Sequence, residues 1–396
     1  MTHSMPSIPS LAQSVCQRIF KVVGDRRVAL HEPNFNGNEW LYIKDCIDTG
    51  WVSSVGSYVD RFEHDLAAYT GAKHAVVVSN GTSGLQVALQ LAGVVAGDEV
   101  FVPALSFVAT ANAVRHCNAW PHFVDVDAST LGLSVPALAD YLDFVLERRN
   151  GLNFNRYNGR RLAAIVPMHT FGHPVDMIAL MELSQKFQIP VVEDAAESLG
   201  SFTDGQHTGT FGLCGMVSFN GNKIVTTGGG GAIITNDTQL ARRAKHLTTT
   251  AKQPHRWSFF HDEVAYNYRL PNLNAALGCA QLEQLPSFLL AKRQLAERYL
   301  NVFKDLQEVK LFLERANVRA NYWLQTLILE PDAADERDNV LAATNEAGLM
   351  TRPVWTLLNE LPMYQECAYM PLPISQDLAR RIVNLPSGPQ LEREAR

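Results

Sequence analysis

The sequence predicts an α/β protein with a mostly parallel central sheet and a smaller C-terminal α/β domain. Three observations carry this expectation. Short apolar runs alternate with helix-like stretches up to about residue 250, as βαβ units require. The runs themselves are apolar, as strands covered on both faces are. From about Leu285 the texture changes to a long, charged, amphipathic stretch.

Taken in order, the elements are these. A polar lead and a short amphipathic helix, Leu11 to Val23, make residues 1–28 an N-terminal extension. His74 to Val78 is a β-branched run, followed by a Gly/Ser/Thr turn and an apolar helix to about Leu91. Glu99 to Pro103 reads as a strand, with a helix near Phe107 to Cys117 and a strand at Pro121 to Asp125. The segment 150–161 (NGLNFNRYNGRR) is polar and rich in Asn and Gly, and reads as a surface loop. Ala163 to Pro167 and Pro190 to Glu193 are short strands separated by a helix from Asp176 to Phe187. Ala232 to Thr235 is a further strand. Beyond it come a helix from about Leu285 towards Asp305, a strand from Tyr322 to Leu329 and a helix near Glu336 to Glu346. The large domain is therefore expected at 29–260 and the small one at 261–396.

Composition narrows the function. A net charge of −6 without a basic block argues against a nucleic-acid surface. No window approaches the ~20 apolar residues of a membrane span. Cys16, Cys46, Cys117, Cys214, Cys279 and Cys367 lie far apart with no Cys-x-x-Cys pair, which implies a reducing compartment, no disulfide framework and no zinc knuckle. The chain reads as cytoplasmic, and no metal site is expected. His169 and His173 are four apart, but Gly172 and Pro174 break the helix that would align them, so a loop histidine touching substrate or backbone is the better reading.

Three constellations could carry chemistry. Asn80-Gly81-Thr82-Ser83-Gly84, between a strand and a helix, offers hydroxyls and helix-start amides to an anion; it would serve equally as a plain N-cap. Val191-Val192-Glu193-Asp194-Ala195-Ala196-Glu197 drives an apolar strand into acids at the sheet's rim. A buried acid there needs a partner, such as a protonated ring nitrogen, unless it merely opens a helix. Ser218-Phe219-Asn220-Gly221-Asn222-Lys223, followed by Thr226-Thr227-Gly228-Gly229-Gly230-Gly231, places a partly desolvated lysine on a turn, suited to a Schiff base. The glycines are expected to pass close to a cofactor and substrate; an exposed loop lysine beside a glycine hairpin is the bland alternative. No Gly-Lys-[Ser/Thr] closes the glycine run, no strand-linked G-x-G-x-x-G opens a helix, and no Gly-x-Ser-x-Gly elbow is present.

In that order, these motifs resemble the sugar aminotransferases of the DegT/DnrJ type, over nearly the whole chain from Leu30-His31-Glu32-Pro33 to Asn384-Leu385-Pro386-Ser387. The resemblance implies the aspartate-aminotransferase fold and pyridoxal 5'-phosphate as cofactor. It assigns Lys223 to the Schiff base and proton shuttle, and Asp194 to the ring nitrogen. Gly81, Thr82, Ser83 and Ser218 would hold the phosphate, Phe107 would stack on the ring, and Glu197 would lie beside the cofactor. Asn267, in Tyr266-Asn267-Tyr268-Arg269, would reach the phosphate of a neighbouring subunit, which implies a homodimer with shared sites. Gly37 to Trp40, Trp51 to Gly56 and Arg352 to Trp355 resemble the branch of legionaminic acid and bacillosamine biosynthesis. That branch implies transfer of the amino group of L-glutamate to C4 of a nucleotide-linked 4-keto-6-deoxy-N-acetylhexosamine, in the UDP form, with Arg352 as first candidate for the diphosphate.

Overall fold

The computed structural model describes residues 9–393; the lead at residues 1–8 lies outside them. The central sheet has the strand order Trp120–Val124, Glu99–Pro103, Leu162–Ile165, Val192–Asp194, Cys214–Ser218, Gly231–Thr235, His74–Val78. A parallel bridge between Ile165 and Val191 joins its two halves. Every strand runs the same way except Gly231–Thr235, which pairs antiparallel on both sides. The mostly parallel sheet is as expected. The strands are buried almost throughout because helices such as Gly81–Leu91 and Met177–Phe187 cover the sheet.

A second, antiparallel sheet follows, in the order Val309–Leu311, Gln325–Leu329, Ile382–Leu385, Arg352–Pro353. Helix Leu11–Val23 lays Val15, Ile19 and Val22 onto the same core as Leu327, Val340 and Val383. Its start is a capping box: Ser10 accepts from the amide of Gln13, and the Gln13 side chain accepts from the amide of Ser10. Among the described residues, no helix is long and apolar enough to cross a membrane.

Three expectations need correction. The long helix begins at Asn272, not near Leu285, and carries Pro286 inside it. The proline forfeits one helical bond, but Ala275, Cys279 and Leu282 before it and Leu295, Tyr299 and Phe303 after it are buried in two cores. Packing on both sides outweighs the local penalty. The supposed loop at 150–161 opens with the turn and second strand of a hairpin, Leu146–Arg149 with Leu152–Asn155. Asn150 (φ +50°) and Gly151 (φ +81°) form the tight turn that an Asn-Gly pair favours. The strand expected from Tyr322 starts only at Gln325, because 321–324 bends away from the sheet.

Candidate active site

Parallel strands end on one side of a sheet, and the register decides what meets there. Gly231 pairs with both Val78 and Ser218, so the turn following Val78 lies beside Ser218. Backbone contact fixes this corner. A Cβ on Gly231 would stand 2.8 Å from the carbonyl carbon of Asn80, and one on Gly81 would stand 3.2 Å from Ser218 Oγ. Asn80 caps helix Gly81–Leu91, its side-chain oxygen accepting from the Ser83 amide at 2.8 Å. The first amides of the helix meet no intrahelical carbonyl, so the corner suits an anion.

The glycine run is therefore explained differently than expected. Gly231 accommodates Asn80, Gly230 accommodates Thr227, and Gly228 adopts φ +77°. Of these, Gly230 lines the cavity; Gly231 serves the chain's own close packing, and Gly228 a left-handed turn in open space.

The next strand supplies the acids. Alternation sends Glu193 and Asp194 to opposite faces. Glu193 accepts from the amides of Gly209, Phe211 and Gly212 and meets His169 Nε2 at 3.1 Å. His169 Nδ1 accepts from the Val175 amide, so Nε2 carries the proton. His169 thus contacts backbone and Glu193, while His173 packs between the rings of Phe312 and Tyr322. Asp194 faces the cavity. Its Oδ2 accepts from the Thr110 hydroxyl at 2.7 Å and its Oδ1 from the Ala196 amide at 3.2 Å. Burial pushes its pKa up, against those two hydrogen bonds. Glu197 is pushed up to about 7 by burial, opposed chiefly by Lys223. Its Oε2 accepts from the Phe171 amide at 2.9 Å.

Lys223 follows a turn closed by its own amide donating to Asn220 O at 2.9 Å. Its Nζ donates to Glu197 Oε1 at 3.2 Å and lies 3.8 Å from the centre of the Trp323 ring. The residue is only 9% exposed, which rules out the loop-lysine alternative.

A cavity of about 320 Å³ brings these groups together. Gly81, Thr82, Phe107, Asp194, Glu197, Ser218 and Lys223 all line it. Phe107 is 47% exposed, with its ring 6.0 Å from that of Trp355, and so is no core aromatic. Ser83 does not line the cavity; its amide is taken by the cap. Asn267 is exposed and pairs with Thr249, away from its own chain's cavity. Arg352 is also exposed, its guanidinium on Asn345 Oδ1 and Thr351 O. Sequence reasoning missed Thr110, whose signal was a hydroxyl one turn into the helix after Phe107. It also gave no role to Trp323 and Trp355, which long-range packing delivers from the C-terminal part.

The site fits the cofactor that the motifs imply. Asp194 is a desolvated acid whose hydrogen-bond partners are a hydroxyl and an amide, and a protonated ring nitrogen would compensate it. A buried lysine shares the cavity, and the Asn80–Ser83 corner with Ser218 offers a seat for a phosphate.

Comparison with known proteins agrees. GDP-perosamine synthase of Escherichia coli O157:H7 is 36% identical over 93% of this chain and 95% of its own length. The Vibrio cholerae GDP-perosamine synthase is 34% identical over 92% and 95%. The crystal structure of the aminotransferase TlmJ from Streptoalloteichus hindustanus superposes with a TM-score of 0.82 at 28% identity, covering 91% of this chain and 94% of that one. Residues 34–396 match the family throughout: the chain belongs to the DegT/DnrJ/EryC1/StrS aminotransferases, which are pyridoxal-phosphate-dependent enzymes of sugar amination.

Proposed function

We propose that the protein transfers the amino group of L-glutamate to C4 of a nucleotide-linked 4-keto-6-deoxyhexose, with GDP as the nucleotide. The observation that carries the chemistry is the meeting of Lys223, Asp194 and the Asn80–Thr82 corner in one cavity. The similarity to GDP-perosamine synthases, over more than nine tenths of each chain, supports the nucleotide. The UDP-linked N-acetyl form is the second reading, favoured by the segments Trp51–Gly56 and Arg352–Trp355; of these, Trp355 lines the cavity.

When bound, pyridoxal phosphate supplies an electron sink for the charge left on carbon as a proton departs. Lys223 Nζ, in this reading, takes that proton from the donor and later returns one to the new C4, setting its configuration. Asp194 would hold the ring nitrogen protonated, Gly81, Thr82 and Ser218 would bind the phosphate, Phe107 would cover the ring and Glu197 orients the lysine. Asn267 would act on the site of a second copy, which makes the working unit a homodimer. The free, widely spaced cysteines support a cytoplasmic location.

The test is a half-reaction panel. The enzyme is first converted with glutamate; GDP-, UDP- and dTDP-linked 4-ketosugars, and a 3-ketosugar, are then added singly. Recovery of the cofactor's original absorbance by the GDP 4-ketosugar alone supports the reading. Preference for the acetamido UDP sugar moves it to the second. For the shared site, mixing Lys223→Ala with Asn267→Ala should restore activity through hybrid dimers; no rescue after proven subunit exchange would overturn that part.

A further inference from the structure

Trp323 lies in the segment 321–324, which leaves the C-terminal sheet to reach the cavity. It is held at three points. The indole N–H donates to Asn222 O at 2.8 Å, beside the lysine in sequence. The backbone N–H donates to Asn321 Oδ1 at 2.8 Å, and the carbonyl accepts from Lys292 Nζ at 3.0 Å. Asn321 ties the same segment to the acid side of the cavity, its Nδ2 donating to Glu197 O at 2.8 Å and Leu199 O at 2.9 Å. Tyr322 between them adopts φ +50°, a left-handed backbone that a tyrosine rarely takes. These bonds give the indole one orientation, with Lys223 Nζ 3.8 Å from its ring centre and 3.2 Å from Glu197 Oε1.

We propose that Trp323 is a positioning residue for proton transfer. Its indole face and the Glu197 carboxylate form a fixed station for the Lys223 amine once that amine is free. The inference rests on Lys223 being the cofactor lysine. In the step concerned, the C–H bond at the donor's Cα breaks and an N–H bond forms at Nζ. The electron pair stays with the carbon and the bound ring, and Nζ goes from neutral amine to ammonium. An aromatic face within cation–π distance favours that ammonium, and the carboxylate opposite does the same. Lys223 and Trp323 are both more than nine-tenths buried, so the station holds the amine away from solvent between the two half-reactions. Trp323 comes from the C-terminal segment and the lysine from the central sheet, so the base is aligned only when the two are docked.

The experiment compares Trp323→Leu, which removes the aromatic face, with Trp323→Phe, which keeps a face and loses the Asn222 anchor. In the holoenzyme, Trp323→Leu should lower kcat roughly three- to thirty-fold with KM for glutamate nearly unchanged. The isotope effect with α-deuterated glutamate should rise, and Trp323→Phe should recover most of the rate. A second readout needs no turnover. In protein already converted by glutamate, so that Lys223 is released, acetic anhydride labelling of Lys223 should be several-fold faster in Trp323→Leu than in wild type, scaled to the exposed Lys44. Equal losses in both variants, with isotope effect and labelling unchanged, would make Trp323 a packing residue and overturn the proposal. A borohydride-fixed cofactor on another lysine would instead sink the assignment of Lys223, whatever the tryptophan variants do.

Discussion

The strand Val192–Asp194 presents a buried acid on each face, and the two faces treat their acids differently. On the back, Glu193 is met by three backbone amides and the N–H of His169, four donors for one carboxylate. On the front, Asp194 and Glu197 face a cavity with fewer donors, and burial raises both above the usual carboxylate range. Equal burial thus gives structure on one side and chemistry on the other; the number of donors decides. The back acid pins the 209–212 loop beneath the sheet's end. The front acids are left for a cation to complete.

The sharpest way to test this contrast is to remove that cavity's own amine. Lys223→Ala should cut turnover by roughly 10³-fold or more, since base and covalent anchor go together. Borohydride reduction followed by peptide mapping should place the label on Lys223 in the wild type. Next in size, Asp194→Asn should retain the cofactor but lower kcat by about 10²–10³-fold, because an amide cannot stabilise a protonated ring. A near-normal rate would mean that the front acid is structural like the back one.

Glu193→Ala is the mirror experiment. It strips His169 and three amides of their acceptor, and should cost about 3–5 kcal/mol of stability. Thermal denaturation should show the loss, while folded protein keeps kcat within a few-fold. A selective collapse of kcat at unchanged stability would erase the distinction between the faces.

The smallest effect is one of pH. In cofactor-free protein, Glu197 is raised from 4.5 to about 7 by burial, so the folded state keeps a proton that the unfolded chain has lost. Its contribution to stability is therefore complete below pH 4.5 and is lost as pH rises through about 7, by ~3 kcal/mol at most. Asp194, raised from 3.8, acts in the same direction. Glu197→Gln should flatten the fall in stability between pH 4.5 and 7, read from melts across that range. An unaltered slope would assign the proton to another group.

Much of the front face was legible in the chain. Gly81, Asp194, Ser218 and Lys223 each end or follow a strand, and parallel strands in one sheet end together, so their chain order was enough to predict that they meet. The hairpin at Asn150-Gly151 is equally legible, since that dipeptide is itself the turn signal, although the polar residues around it read as loop. The true start of the helix Asn272–Phe303, which carries Pro286, was not legible. A local helix breaker was outweighed by two cores that no local pattern reveals.

The sequence by itself determined the order of the strands along the chain, the lysine and the acid that end up facing each other, and the Asn80 cap that opens the anion corner. Those depend on period, turn chemistry and capping, which act between near neighbours. Only the tertiary structure decided that Glu193, the neighbour of that acid, turns to the back and is met there by backbone amides. It also decided that Thr110 donates to Asp194, that Ser83 stays out, and that Trp323 and Trp355 complete the wall. These depend on strand register and on a segment bent out of a distant sheet. The contacts involved join residues far apart in the chain, such as Thr110 with Asp194 and Trp323 with Asn222, and are set by packing rather than by local sequence.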